Sequence, residues 1–200
     1  MADLSSEHVA VAKKLFQSVA AAALIMQEVL SELYAALGLG RGLFRRKMPD
    51  DVRAQTVIEA WAYLSALLVS MVETWRTRPR RSDLEVIIRA LEGALLEVQR
   101  INYRPEYEAY RVRFTGGHSS LGVSDPKVFG PMYGLHEEFH GRLARSGAVP
   151  SRASVSPYAP NWTAGKAEQV STAFSEGTSH MTQKIEDGLR KGLEELWPPR

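Results

Sequence analysis

The chain has 200 residues, of which 44% are hydrophobic and 24% charged, so it is long enough for one globular domain or two small ones packed together. It contains no cysteine, which excludes a disulfide scaffold, a thiolate zinc site and a cysteine nucleophile. A formal net charge of +2 is too balanced to indicate a dedicated nucleic-acid-binding protein.

Membrane and export signals are weak in this sequence. The longest apolar stretch, residues 19–26, is far shorter than the roughly 20 residues that a membrane span requires. Asp3 and Glu7 precede Lys13, whereas a signal peptide begins with basic residues. We therefore expect a soluble protein with no membrane partner.

Three amphipathic helices are predicted in the first half of the chain. Apolar residues at three- and four-residue steps predict the first over about residues 4–37. Pro49 and two aspartates open the second helix, which Pro79 ends, and a capping box at residues 82–85 opens the third. Long helices joined by short loops pack antiparallel, so residues 1–102 should form a three-helix bundle. The buried face of the second helix should carry Val57, Trp61, Leu64, Leu68, Met71 and Trp75.

The second half, residues 103–200, has a different pattern. Residues 107–114 alternate between apolar and polar side chains, which predicts a strand. Weaker strand signals over residues 121–123 and 127–129 would complete a small antiparallel sheet. A short helix is predicted over residues 134–143.

A proline-rich arm and a long helix complete this half. Residues 147–162 hold three prolines and have no helical period, which predicts an extended arm. The last helix should run from about residue 163 to residue 197. The predicted fold class is therefore α+β and mostly helical, with a helical bundle followed by a small antiparallel sheet, the arm and a C-terminal helix.

Two clusters of basic residues follow the first and second predicted helices. Cations at helix C-termini are favoured by the helix dipole, and the alternative role is contact with phosphate or with an acidic partner subunit. An antiparallel bundle would put the two clusters at opposite poles, so we expect no DNA binding by the isolated subunit. The clusters comprise Arg41, Arg45, Arg46, Lys47, Arg76, Arg78, Arg80 and Arg81.

One motif carries candidate metal chemistry, the HExxH sequence at residues 136–140. On a helix, His136 and His140 share one face and can hold Zn²⁺, while Glu137 can act as the general base. Phe139 lies about 100° from His140 around the helix, so burial of Phe139 would leave the histidines at the boundary. We expect Phe139 in the core, both histidines at least partly exposed and no bound metal.

This motif resembles that of minimal zincin metallopeptidases, over about residues 108–186. The resemblance implies a third zinc ligand on a later helix, for which Glu176, followed by glycine, is the candidate. The alternative is that His136 and His140 are ordinary polar residues on a half-exposed helix.

A second set of short motifs occupies the same half of the chain: Val128-Phe129-Gly130-Pro131, Tyr133, Glu138-Phe139, Pro150-Ser151-Arg152, Val155 and Pro157. In this order, they resemble the neck or tail-completion proteins of long-tailed bacteriophages, including the Mu-type virion morphogenesis proteins, over roughly residues 107–197. The resemblance implies a homo-oligomeric ring among other virion subunits. The arm would then contact a neighbouring subunit through Pro150, Arg152, Val155, Pro157, Tyr158 and Trp162.

The sequence thus predicts a structural assembly subunit, such as a phage head–tail junction protein, found in the virion or otherwise in the cytoplasm. This function requires no cofactor. The first alternative is a zinc-dependent metallopeptidase that uses Glu137, and the second is a protein that contacts nucleic acid through its arginines.

Overall fold

A computed structural model describes residues 6–37, 48–75, 103–115, 133–145 and 164–198. These residues form five α-helices: α1 Ser6–Ala36, α2 Asp50–Thr74, α3 Arg104–Thr115, α4 Tyr133–Arg145 and α5 Ala164–Leu196.

The α2 helix forms the centre of the fold and packs against each of the other four helices. Every residue from Glu59 to Val72 is buried, all round the helix. A helix buried on all sides must be apolar on all sides, which explains why this stretch has Ala, Leu, Val and Met between its few polar residues. At the end of α2, the Trp75 indole Nε1 donates a hydrogen bond to the carbonyl oxygen of Trp197, at 3.0 Å.

The α4 helix lies antiparallel to both α2 and α5. Along α2, Tyr63 contacts His136 near the start of α4, whereas Glu59 lies beside Arg142 near its end. Along α5 the order is also reversed, since Glu186 contacts His136 and the earlier Thr178 contacts His140. The helix therefore brings side chains from α2 and α5 together around its own polar residues.

The α1 and α5 helices also pack antiparallel. Leu33 lies against Gly177, and Ser18 lies near Gly192. A methyl group added to Gly177 would come within 2.9 Å of the Leu33 Cδ2 atom, so a glycine here permits close approach of the two helices.

Four predicted helices are confirmed, with small differences at their ends. α1, α2, α4 and α5 begin and end within a few residues of the predicted positions. The second helix ends at Thr74, earlier than the predicted stop at Pro79, because Trp75 has an extended backbone with φ −64° and ψ 130°. The helix predicted from residue 82 to residue 102 lies outside the described residues, as does the arm at residues 147–162.

The predicted strand at residues 107–114 is wrong, because these residues belong to α3. Tyr103, Tyr107 and Tyr110 are all buried, and their spacing of four and three residues is that of one helix face. The packing of α3 against α2 therefore outweighs the local alternation that predicted a strand. The described ranges contain only helices, so the α+β fold with a small antiparallel sheet is corrected to an all-helical fold there. The weaker strand signals at residues 121–129 lie outside those ranges.

Two helical segments, Ala10–Ala36 and Asp50–Thr74, are long and apolar enough to cross a membrane, each with a mean hydropathy of 1.4. The second is 83% buried within the fold, as a core helix is, whereas the first is 33% buried. Core helices of soluble proteins meet the same criteria of length and composition, and the absence of a membrane partner stays a prediction.

Candidate functional site

The two histidines of the HExxH motif lie on one face of α4, as their spacing predicts, and this face is turned toward α5. Glu176 is exposed on α5, while Thr178 and Glu186 contact the histidines instead. No group of three His, Asp or Glu within the described ranges is placed to hold a metal ion, so His136, His140 and Glu176 do not converge. The side chain of Glu137 lies outside what the structure describes.

His136 is the centre of a hydrogen-bonded chain that joins three helices. The Tyr63 hydroxyl lies 2.6 Å from His136 Nδ1, and His136 Nε2 lies 2.9 Å from a carboxylate oxygen of Glu186. The Arg190 guanidinium donates to the other oxygen of that carboxylate, at 2.6 Å. We call Tyr63, His136, Glu186 and Arg190 the His136 chain.

Burial and neighbouring charges shift the pKa values of two groups in the His136 chain. Burial, and secondly the negative charge of Glu186, raise the pKa of Tyr63 well above its ordinary value, so the hydroxyl keeps its proton. The hydrogen bond from His136, outweighing the effect of burial, lowers the pKa of Glu186, with a further contribution from Arg190. Glu186 is therefore an acceptor. His136 Nε2 donates to Glu186, whereas the donor in the contact between the Tyr63 hydroxyl and His136 Nδ1 depends on the tautomer of the imidazole.

His140 lies one helical turn further along and is less well satisfied. Its Nδ1 is 3.3 Å from the Thr178 hydroxyl oxygen, which lies 2.9 Å from the Phe174 carbonyl oxygen. The hydroxyl has one hydrogen, which it donates to the carbonyl, so His140 Nδ1 must be the donor to Thr178. His140 Nε2 is then a buried acceptor without a hydrogen-bond partner among the described residues. Burial, with a smaller contribution from His136, lowers the pKa of His140 to about 4.

A second polar cluster surrounds Glu59 on α2, which is 4% exposed. The Tyr110 hydroxyl and the Gln55 amide donate to its carboxylate at 3.0 and 3.2 Å. Arg142 lies 3.6 Å from the same carboxylate, and its guanidinium covers the Tyr110 ring at 5.0 Å from the centroid. Arg142 also donates to Glu138 at 2.9 Å. Burial, followed by the charge of Glu59, raises the pKa of Tyr110 well above its ordinary value.

The His136 chain has the order of hydroxyl, imidazole and carboxylate that hydrolases use to activate a nucleophile. Its hydroxyl, however, belongs to Tyr63, which has no exposed surface. The Phe139 ring stacks on Tyr63 at 4.4 Å between centroids, and Tyr110 packs against it edge-on at 6.0 Å. A side chain enclosed in this way holds helices together and cannot attack a substrate.

Sequence reasoning identified the histidines and missed the residues that contact them. Phe139 is fully buried, which confirms its predicted place in the core. Both histidines are of intermediate exposure and turn inward to contact α2 and α5. A signal for Glu186 was present: Thr178, Thr182 and Glu186 follow one another at four-residue steps on the buried face of α5. Polar residues at core positions of a helix indicate a buried hydrogen-bonded network.

A different kind of site lies between α1 and α5, where a groove of about 550 Å³ opens on the surface. Its lining is mostly apolar, with Ile25 and Val29 on α1 facing Met181, Ile185 and Leu189 on α5. We call this cavity the α1–α5 groove.

Two large apolar side chains of α1 are exposed, and one of them lines this groove. Leu24 is 68% exposed and Ile25 is 53% exposed, on consecutive residues of α1. Ile25 belongs to the groove lining, whereas Leu24 lies about 100° away from it around the helix.

No protein family, no curated protein and no solved structure matches this chain.

The remaining predicted sites lie outside the described residues. These are the predicted subunit contacts at residues 150–162 and both basic clusters, at residues 41–47 and 76–81.

Proposed function

We propose that this protein is a structural subunit that associates with copies of itself through the exposed face of α1 and α5. The observation that carries the proposal is the apolar α1–α5 groove, with the exposed Ile25 in its lining and the exposed Leu24 at the neighbouring position of α1. Exposed patches of this kind are characteristic of protein-binding surfaces.

The buried polar groups support a structural role as well. The His136 chain links α2, α4 and α5, and the Glu59 cluster links α2, α3 and α4. Fully paired buried networks give a fold one rigid arrangement, which a subunit needs in order to present the same face to each neighbour.

The zinc-peptidase alternative has less support. His136 uses both of its ring nitrogens in contacts with Tyr63 and Glu186, and Glu176 is exposed on α5. The chemistry would require both groups to turn toward a common point.

A narrower form of the proposal, a subunit of a phage head–tail junction, rests on the sequence resemblance over residues 107–197. The predicted small antiparallel sheet is no longer part of it, because residues 104–115 are helical. In the revised proposal, the subunits associate through helix faces.

The test is the mass of the protein in solution, measured by sedimentation equilibrium between about 1 and 100 µM. We expect the wild type to form oligomers and Leu24→Asp to be monomeric, because a buried unpaired charge opposes association. Val112→Asp is the matched control, since Val112 is 70% exposed on α3, and it should associate like the wild type. A monomeric wild type over this range would contradict the proposal.

A further inference from the structure

The exposed face of α1 contains a regular stripe of side chains. Its members alternate three- and four-residue steps, as residues on one helix face do; the two central ones are apolar and the outer four are polar or charged. All six are exposed: Lys14, Gln17, Ala21, Leu24, Glu28 and Ser31. We call this set the α1 stripe; it extends for about 26 Å along the helix, at 1.5 Å per residue.

Charge is divided between the two halves of this face. The first half has Lys13 and Lys14, both exposed, and the second half has Glu28 and Glu32, also exposed. A second α1 helix lying parallel would place like charges side by side. An antiparallel second helix would place the lysines of each copy beside the glutamates of the other.

The sizes of the side chains fit the same antiparallel arrangement. When two copies of α1 lie antiparallel with their stripes in contact and centred on each other, Ala21 faces Leu24 of the partner subunit, and Leu24 faces Ala21 of the partner subunit. The same register places Gln17 opposite Glu28 of the partner subunit, so that the amide can donate to the carboxylate. A large apolar side chain thus meets a small one at the centre, and polar groups meet complementary groups at both ends.

We infer that the α1 stripe binds a second copy of this chain in an antiparallel, twofold-symmetric pair. The inference rests on the proposed function and extends it by naming the surface, the partner and the symmetry. A twofold pair uses the same patch on both subunits, whereas a closed ring requires two different patches. The twofold axis passes between Ala21 and Leu24, next to the α1–α5 groove.

Charge exchange tests this arrangement directly. Lys13→Glu/Lys14→Glu makes both halves of the face acidic, and Glu28→Lys/Glu32→Lys makes both halves basic. We expect each variant alone to dissociate at least tenfold more readily than the wild type, and an equimolar mixture to form a one-to-one heterodimer at low salt. The variant with all four changes should again form a homodimer. Its recovery also shows that the substituted chains fold.

A disulfide test fixes the register independently of stability. The chain has no native cysteine, so Gln17→Cys and Glu28→Cys each introduce a single thiol. In the antiparallel pair, two copies of Cys at position 17 lie about 16 Å apart along the axis, too far for a disulfide. The mixture of the two variants should therefore form a disulfide-linked dimer, while each variant alone should not.

The outcomes separate this inference from the proposed function. If the wild type associates, Leu24→Asp abolishes association and the charge variants still associate with themselves, the antiparallel pairing is overturned while the proposed function stands. Cross-linking of either single-cysteine variant with itself would also overturn the pairing. A wild type that is monomeric up to about 100 µM overturns both.

Discussion

His136 joins two helices to a third through its two ring nitrogens, and this makes its contacts with Tyr63 and Glu186 energetically coupled. Tyr63→Phe should lower the free energy of unfolding by about 1–2 kcal/mol, because it removes the hydrogen-bond partner of the largely buried His136 Nδ1. In a His136→Leu background, the same change should cost much less, since this hydrogen bond is already absent. Urea denaturation of the four proteins measures this coupling. Additive effects of the two substitutions would contradict the hydrogen bond between these residues.

His140 should make stability depend on pH. Its folded-state pKa of about 4 lies below the ordinary value of 6.5, so the unfolded chain binds a proton more readily than the folded one. The free energy of unfolding should therefore fall by about 2–3 kcal/mol as the pH drops from 6.5 to 4, and this contribution should level off below pH 4. Chemical denaturation at a series of pH values measures the slope.

Two substitutions isolate the contribution of His140. His140→Leu should flatten the slope between pH 6.5 and 5, whereas His180→Gln, at an exposed position on α5, should leave it unchanged. The pKa of Glu186 is lowered by its hydrogen bond with His136. The stability that the ionised Glu186 contributes is therefore lost only as the pH falls below the ordinary pKa of 4.5. An unchanged slope in His140→Leu would assign the pH dependence to other groups.

At the scale of single elements, two glycines of α5 differ in what surrounds them. A Cβ at Gly188 would have nothing within 4 Å, so Gly188→Ala should raise the free energy of unfolding by about 0.5–1 kcal/mol through helix propensity alone. A Cβ at Gly177 would meet Leu33 at 2.9 Å. Gly177→Ala should therefore raise the free energy of unfolding by less than Gly188→Ala does, or lower it. Thermal denaturation compares the two.

Leu33→Ala provides the matched background for this comparison. With the larger side chain removed, Gly177→Ala should raise the free energy of unfolding of the Leu33→Ala protein by as much as Gly188→Ala raises that of the wild type. Equal effects of the two glycine substitutions in the wild type would show that α1 and α5 do not approach closely at Gly177.

The helices were largely predictable because their signals are local. Periodic apolar residues, the Pro49-Asp50-Asp51 start and the Phe139 position all act within one element. The all-round burial of α2 from Glu59 to Val72 was not predictable from one apolar face, because it depends on the four other helices that pack around it. Residues 107–114 were mistaken for a strand because alternation is visible locally, whereas the packing of α3 against α2, with Tyr110 on Glu59 and Tyr63, is a tertiary effect.

The candidate sites were predictable only in part. The HExxH motif marks a real face of α4, but the groups that face it come from residues far away in the chain, Tyr63 and Glu186. No local pattern joins these residues. The α1–α5 groove likewise exists only once two distant helices are packed, so the sequence indicated neither its position nor the exposure of Leu24.

At the scale of the whole molecule, the net charge of +2 argues against strong attraction to DNA. We expect no measurable affinity of the isolated subunit for duplex DNA at physiological salt. Fluorescence anisotropy with a labelled duplex measures this. A dissociation constant tighter than about 1 µM that weakens with salt would contradict the expectation and implicate the arginine clusters.

The packing of α5 against α1 has a consequence for synthesis on the ribosome. Gly177 is made after Leu33 by roughly 10 s at typical translation rates, so the α1 surface that α5 covers stays open to solvent during most of elongation. The nascent chain thus displays an apolar helix before its own cover exists, and a neighbouring nascent chain on the same messenger could occupy that surface first. Trigger-factor-like chaperones, which hold apolar segments of growing chains, should therefore improve the soluble yield of this protein more than those that act after release.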